Sequence, residues 1–321
     1  TLTLRYSDLV DTIKVSVRGP DSIAVTPQAQ TVAVGTRFQF RATSVQDGRD
    51  VDITSTVNWT LTDALGEEVS SDIGVINGRG IGLVEAEDVG GPFTVKATLS
   101  ACADFDQLPS TVDPDDLVAD VSFQVPESLE LTREFEEIDP DSGEPLVNGV
   151  RLQGTSEQFS LTANFADPAD GTQDLTGFMT PNEVAAFSIV EPGLPDDEIT
   201  DQAGTILGVA GLVSMINVTE VPLEIFATYG SDEVQEEGQP TLPPLRTSNT
   251  LTLEIVEGEL QAIEIAPQDA IIEFAERQQF SAVGTYLLAD EVTEQTQDIT
   301  RHVSWRSSDT TVAAISSQVA N

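Results

Sequence analysis

The phrase Asp-(Ile/Leu)-Thr occurs three times at nearly constant spacing, and this recurrence constrains the fold more than any other feature of the chain. It reads Asp52-Ile53-Thr54, Asp174-Leu175-Thr176 and Asp298-Ile299-Thr300, with successive copies 122 and 124 residues apart. Trp59 and Trp305 follow the first and third copies, and Phe187 is the aromatic counterpart after the second. Gln39-Phe40, Gln158-Phe159 and Gln279-Phe280 keep the same step, at 119 and 121 residues. Two independent markers sharing a period of one domain's length indicate tandem copies of a single fold. Phe40, Trp59, Phe159, Phe280 and Trp305 are the expected core anchors.

Between these markers apolar residues alternate with polar ones. In the first copy Ile23, Val25 and Pro27 are followed by Phe38, Phe40 and Ala42, then by Val57, Trp59 and Leu61. Phe93, Val95, Ala97 and Leu99 alternate again, and Val118, Val121, Phe123 and Val125 close the copy. Asp47-Gly48-Arg49-Asp50 reads as a turn, and Asn77-Gly78 as a tight hairpin turn. No helical period persists for a dozen residues. About seven short strands divided by turns predict an all-β fold of tandem β-sandwiches. The second copy repeats the order from Leu129 and Leu131 to Leu251, Leu253 and Ile255, with acidic insertions near 134–144 and 230–248. The third opens with Ile263 and Ile265 and runs through Val312 to Ile315.

Aligned with the first copy, the third lacks its last two strands, and residues 1–19 look like those strands. Leu2, Leu4 and Tyr6, then Ile13, Val15 and Val17, give a β-hairpin pattern after which Gly19-Pro20 punctuates. Thr1 to Tyr6 parallels Phe93 to Thr98, and Thr12 to Arg18 parallels Asp120 to Pro126. The expected division is therefore 1–19 (a final hairpin), 20–126, 127–257 and 258–321. Two arrangements would satisfy the half-built end. The chain is a window of a longer array, or residues 1–19 of one copy complete 258–321 of the next by strand addition. In the second case Leu2, Leu4, Tyr6, Ile13, Val15 and Val17 form the polymer interface, and the contact propagates without closing.

The run from Ser22 to Pro27, Val34-Gly35-Thr36, Gln39 to Thr43, Asp47-Gly48, Asp52-Ile53-Thr54 and Trp59 resembles bacterial Ig-like domains of group 2. Trp305 to Asp309 with Val312, Ala313 and Ile315 carries the same resemblance in the third copy. Such repeats occur in intimin- and invasin-like adhesins and other large bacterial surface proteins. The resemblance implies tandem immunoglobulin-like β-sandwiches, about three, one of them split between the chain ends. It also implies a non-enzymatic, extracellular or cell-surface role as a fibre or adhesin stalk. The alternative is a module that binds a glycan or protein through exposed loops near 100–116 or 230–248.

Charge narrows the partners. The chain has 55 acidic against 14 basic residues, a net −41. Nucleic acid and anionic lipid are disfavoured by repulsion, and copies of the chain or further repeats are the expected neighbours. Self-repulsion of this size suits a marine or salt-adapted setting, where added ions shorten the screening length. No apolar run is long enough to span a bilayer.

Cys102 is the single cysteine, so no internal disulfide can staple a sandwich. His302 is the single histidine, which rules out a histidine cluster for zinc. No enzyme chemistry or cofactor is expected. The one cation the chain could suit is calcium, through loop aspartates Asp113, Asp115 and Asp116 or Asp167, Asp170 and Asp174. Asp139 with Asp141, and Asp196, Asp197 and Glu198, are lesser clusters. None has the spacing of a dedicated calcium loop, and a solvated acidic loop is the simpler reading.

Overall fold

The computed structural model describes residues 2–6, 9–13, 22–46, 49–76, 81–99, 117–133, 148–179, 184–190, 192, 204–206, 211–231, 243–272 and 276–316. Strands β1 (Leu2–Tyr6) and β2 (Leu9–Ile13) pair antiparallel from Leu2↔Ile13 to Tyr6↔Leu9. Among the described strands they pair only with each other. Val15 and Val17 lie outside the described residues.

The first sandwich comprises β3 (Ser22–Thr26), β4 (Ala29–Ala33), β5 (Arg37–Gln39), β6 (Arg41–Gln46), β7 (Arg49–Asp52), β8 (Val57–Thr62), β9 (Gly74–Ile76), β10 (Leu83–Ala86), β11 (Gly90–Leu99) and β12 (Val118–Gln124). One layer holds β3–β6–β7 and β5–β10–β9, with β5 and β6 parted only at Phe40. The other is β4–β12–β11–β8, in which β4 runs parallel to β12. Two mainly antiparallel layers with the leading edge divided between them are the immunoglobulin-like arrangement. Alternation turns Val57, Trp59 and Leu61 of β8 inward onto Phe40 and Phe123. The carbonyl of Gly82 accepts from Phe40 N over 2.9 Å, and Gly82 itself has φ +61. A Cβ there would stand 2.7 Å from the Trp59 ring and 2.8 Å from Phe40 O, so glycine alone fits.

The second sandwich repeats the order with β13 (Ser128–Arg133), β14 (Asn148–Leu152), β15 (Ser156–Asn164), β16 (Thr172–Asp174), β17 (Ala185–Val190), β18 (Gly204–Ile206), β19 (Leu212–Met215), β20 (Leu223–Tyr229), β21 (Arg246–Thr247) and β22 (Leu251–Val256). Its layers are β13–β15–β19–β18, with β16 on β15, and β14–β22–β20–β17, with β21 on β20. β14 runs parallel to β22 as β4 does to β12. Phe187 stands opposite Ala227 as Trp59 stands opposite Ala97, so the aromatic counterpart read from the sequence occupies the matching place. It packs on Phe159 with ring centroids 5.7 Å apart.

The third copy forms one sheet, β23 (Gly258–Ala266), β24 (Ser281–Leu288) and β25 (Glu294–Asp298), equivalent to β3–β6–β7. No strand among the described residues follows β25. The sequence reading is corrected here, because among the described residues more than the last two strands of the first copy lack a counterpart. Residues 269–272 and 303–308, which match β4 and β8, are not strands either. The reason is pairing: β4 bonds only to β12 and β8 only to β11, and no described strand of the third copy corresponds to either.

Two further readings change. Arg49 and Asp50 are not turn residues but open β7, paired with Gln46 and Val45. With Ile13 matched to Val121, the observed pairing sets Leu2 against Phe93 rather than Thr94, a one-residue shift. By contacts the chain forms two compact units, Thr1–Val125 with Phe165–Gly171, and Pro126–Asn164 with Thr172–Asn321. The second unit therefore holds both the second sandwich and the third sheet.

Candidate interaction surface

The recurrent phrase builds the same turn three times. Asp52 Oδ1 accepts from Thr54 N over 2.8 Å, Asp174 Oδ1 from Thr176 N over 2.8 Å, and Asp298 Oδ1 from Thr300 N over 2.7 Å. Each threonine hydroxyl then accepts from the neighbouring strand: Ala42 N at 2.9 Å, Leu161 N at 3.0 Å and Ala282 N at 2.8 Å. The residue between them, Ile53, Leu175 or Ile299, is buried and donates its N–H back to Ala42, Leu161 or Ala282. A short polar side chain followed by an apolar plug and a hydroxyl thus ties a turn to the sheet edge. The Thr54 hydrogen bonds, through its side chain and then its backbone, hold the Asp52 carboxyl below its ordinary range. The glutamine before each phenylalanine also repeats its role, donating to the carbonyl of Phe40, Phe159 or Phe280.

What differs between copies is the face these turns support. Ile23 and Val25 are 1% and 0% exposed, and Leu129 and Leu131 are 6% and 1%; the equivalent Ile263 and Ile265 are 50% and 49%. Leu260, Ile271, Ile272, Val312 and Ile315 are exposed as well. Phe40, Trp59 and Phe159 are core residues as expected, but Phe280 and Trp305 are only half-buried, 6.5 Å apart by ring centroid. Their correction has the same cause, since the layer that covers Trp59 has no equivalent among the described residues of this copy. Ile263 and Ile265, about half exposed, forgo part of the about 1.5–3 kcal/mol that fully burying such a side chain contributes. Among the described residues these side chains leave apolar area of the third copy uncovered.

The third sheet is anchored to the second sandwich by a side chain that sequence reasoning passed over. Gln297 Oε1 accepts from Leu152 N over 2.9 Å, and Gln297 Nε2 donates to Thr155 Oγ1 over 2.5 Å, all three groups being buried. His302 Nε2 meets Ser156 Oγ at 2.9 Å at the solvent side of the same joint. Partial burial lowers the imidazole's pKa, with Asp298 opposing the shift and Arg301 reinforcing it. Beside this joint lies a buried bidentate ion pair, Arg151 Nη2 to Glu157 Oε1 at 2.6 Å and Nε to Oε2 at 2.9 Å. Only the alternation of β15, which turns Glu157 to the same face as Phe159, Leu161 and Ala163, signalled it in the sequence.

Among the described residues, the aspartates proposed for calcium are not gathered into a site. Asp113, Asp115, Asp116, Asp139, Asp141, Asp196, Asp197 and Glu198 lie outside the described residues, as does Cys102. Asp167 Oδ1 caps its own turn by accepting from Ala169 N at 2.9 Å, and Asp170 Oδ2 accepts from Gln124 Nε2 at 2.9 Å. Asp174 is committed to Thr176. Among the described residues no group of three His, Cys, Asp or Glu side chains could hold a metal ion. The reason is chemical: each of these carboxylates orders local backbone or an amide rather than converging on a shared point. No helix among the described residues is long and apolar enough to cross a membrane.

No family profile matches the chain. A search of characterised proteins finds similarity to ice-binding protein 1 of Shewanella frigidimarina, 27% identical over 296 residues. That alignment covers 92% of this chain but 25% of the relative, so the chain spans about a quarter of its length. Among solved structures, extracellular domains 3-5 of Drosophila OTK match at 11% identity, covering 72% of this chain and 61% of that one, with a TM-score of 0.20. Sidekick-1 immunoglobulin domains 1-4 match at 10% identity over 73% and 49%, with a TM-score of 0.21. Superpositions at this level carry no weight, and the immunoglobulin-like assignment rests on the strand order.

Proposed function

We propose that this chain is a non-catalytic spacer of an extracellular bacterial protein, a stalk of group 2 Ig-like modules that extend head to tail. The observation that carries the reading is the triplicated turn with its identical hydrogen bonds. The recurring residues serve turns and cores, while the surface between them varies in sequence and is dominated by carboxylates. A surface of net −41 keeps such modules apart from one another and from anionic ligands except at built joints. Salt-rich surroundings would screen the remaining repulsion.

The similarity to an ice-binding protein fits a spacer better than an ice-contact surface. β-sheets generally twist, and a twisted face matches the planar surface of a crystal poorly. The test is direct. Purified chain assayed for thermal hysteresis, ice-crystal shaping and glycan-array binding should give no activity above that of an acidic control protein. Ice shaping or a specific glycan signal from these residues alone would overturn the spacer reading.

A further inference from the structure

We propose that the Gly-Thr turn of each sandwich is a docking socket for an Ig-like module, and that the key is a glutamine standing immediately before that module's Asp-(Ile/Leu)-Thr phrase. This rests on the reading of the chain as a line of such modules, and it names what one module recognises in another.

The socket and its key are seen together at the second sandwich. Gly154, at φ +83, bends the chain so that Thr155 N and Thr155 Oγ1 both donate to the carbonyl of Leu152, at 3.2 and 2.6 Å. The hydroxyl hydrogen is thereby spent, so Oγ1 offers lone pairs while Leu152 N offers a hydrogen. An entering group must accept from the one and donate to the other. Gln297 does both, with Oε1 at 2.9 Å from Leu152 N and Nε2 at 2.5 Å from Thr155 Oγ1. A carboxylate has no hydrogen to give and an ammonium no lone pair, whereas an amide carries both side by side.

The first sandwich builds the same turn bond for bond. Gly35 has φ +78, and Thr36 N and Thr36 Oγ1 donate to the carbonyl of Ala33 at 3.1 and 2.7 Å. Gly35 N bonds Ala86 O as Gly154 N bonds Met215 O, and Val34 N bonds Gln124 O as Gln153 N bonds Val256 O. Thr36 and Thr155 are both buried. The key recurs as well. Gln173 and Gln297 hold the same register place, opposite Ala163 and Gly284, and both are buried. A side-chain amide is kept out of water only where its hydrogen bonds are remade. The first copy carries Val51 at this place, opposite Ser44, and its side chain has neither donor nor acceptor. The residue before the phrase therefore sorts modules into those that hold the key and those that do not.

Both halves of the contact are neutral. In a chain of net −41, an amide meeting a hydroxyl and a backbone N–H adds no charge and is not screened by salt. Such a joint suits modules that otherwise repel one another.

Hydrogen exchange of the full chain at the Leu152 and Ala33 amides, read by nuclear magnetic resonance, tests this. Gln297→Leu and Gln297→Glu should each speed exchange at Leu152 about tenfold. Thr155→Val should do the same and Thr155→Ser should not. Combining Gln297→Leu with Thr155→Val should add little to the larger single effect, because both remove one contact. Protection of Leu152 should be equal in dilute and concentrated salt. At the first socket, Thr36→Val should speed exchange at Ala33, and so should replacing Gln173 and Gln297 together by leucine. The two single variants identify which glutamine serves, and dilution separates one of the same chain from one of a second copy. Circular dichroism checks that each variant is folded. Fully additive effects of Gln297→Leu and Thr155→Val, or an Ala33 amide indifferent to the loss of both glutamines, would each overturn the proposal. Neither result bears on ice or glycan binding, so the spacer reading stands or falls separately.

Discussion

Trp305 donates its indole N–H to the carbonyl of Thr300 over 3.1 Å, the same bond at the same length that Trp59 makes to Thr54. The turn and the tryptophan's first contact are thus complete in both copies. Yet Trp59 is 2% exposed and Trp305 is half-buried. A local turn positions the ring, and a distant layer decides whether the ring is dry.

The two tryptophans should therefore report separately. Trp59→Phe should leave a chain whose emission is red-shifted and readily quenched by acrylamide, whereas Trp305→Phe should leave a blue-shifted, protected emission. Equal quenching of the two variants in dilute solution would contradict the exposed face.

Thr54→Val keeps the volume of the side chain but removes the hydroxyl that accepts from Ala42 N. Leaving that part-buried N–H without its acceptor should cost about 1–3 kcal/mol in the first sandwich. Thr176→Val should do the same in the second, since Leu161 N bonds Thr176 in the same way. Chemical denaturation followed by circular dichroism measures both, and changes within error of zero would remove the turn from the list of stabilising features.

Gly82→Ala forces a side chain onto a positive φ and into the Trp59 ring. The expected loss is roughly 1–3 kcal/mol from backbone conformation alone, with the ring contact adding to it. Gly66 also has positive φ but nothing within 4 Å, so Gly66→Ala isolates the conformational part. The difference between the two unfolding free energies reads the packing contribution.

Asp52 sets a pH dependence. Its folded pKa lies below the ordinary 3.8, so the unfolded chain takes up the proton first as pH falls. The contribution is complete above about pH 5 and is lost as pH drops through 3.8 toward the lower folded value. Asp52→Asn should lower the unfolding temperature at neutral pH, and its gap from the wild type should narrow in acid. A gap that stays constant from pH 7 to acid would rule out the carboxylate as its source.

Gln297→Ala should uncouple the third sheet from the second sandwich. It removes the acceptor for Leu152 N and the donor to Thr155 Oγ1 at a buried joint. Hydrogen exchange should rise at Leu152 and along Ser281–Leu288 while Val57–Thr62 stays protected. Unchanged exchange in β24 would mean that the joint is held by other contacts.

Much of the fold was legible because its cues are local. Alternation marked β8, β11, β13 and β20, and the Asp-(Ile/Leu)-Thr phrase marked a turn whose bonds span a few residues. Phe187 was found in spite of its shifted spacing, because aromatic size and flanking alternation survive an insertion. Gln297 was not found, since a glutamine on a strand edge reads as solvated until a second module is placed against it. The aspartates of 167–174 misled for the related reason that a carboxylate's partner is invisible in one dimension.

The sequence by itself determined the repeat, the β alternation and the turn chemistry: the first is a recurrence of residue types along the chain, and the other two are carried by residue types at short spacing. Only the tertiary structure decided which extended segments become strands. Residues 57–62 and 303–308 carry nearly the same pattern, Val-Asn-Trp-Thr-Leu-Thr against Val-Ser-Trp-Arg-Ser-Ser, but only the first has β11 beside it. A strand's backbone N–H and C=O groups are satisfied by another strand, so the same residues form a buried ladder where the partner is present and an open, half-wet face where it is not.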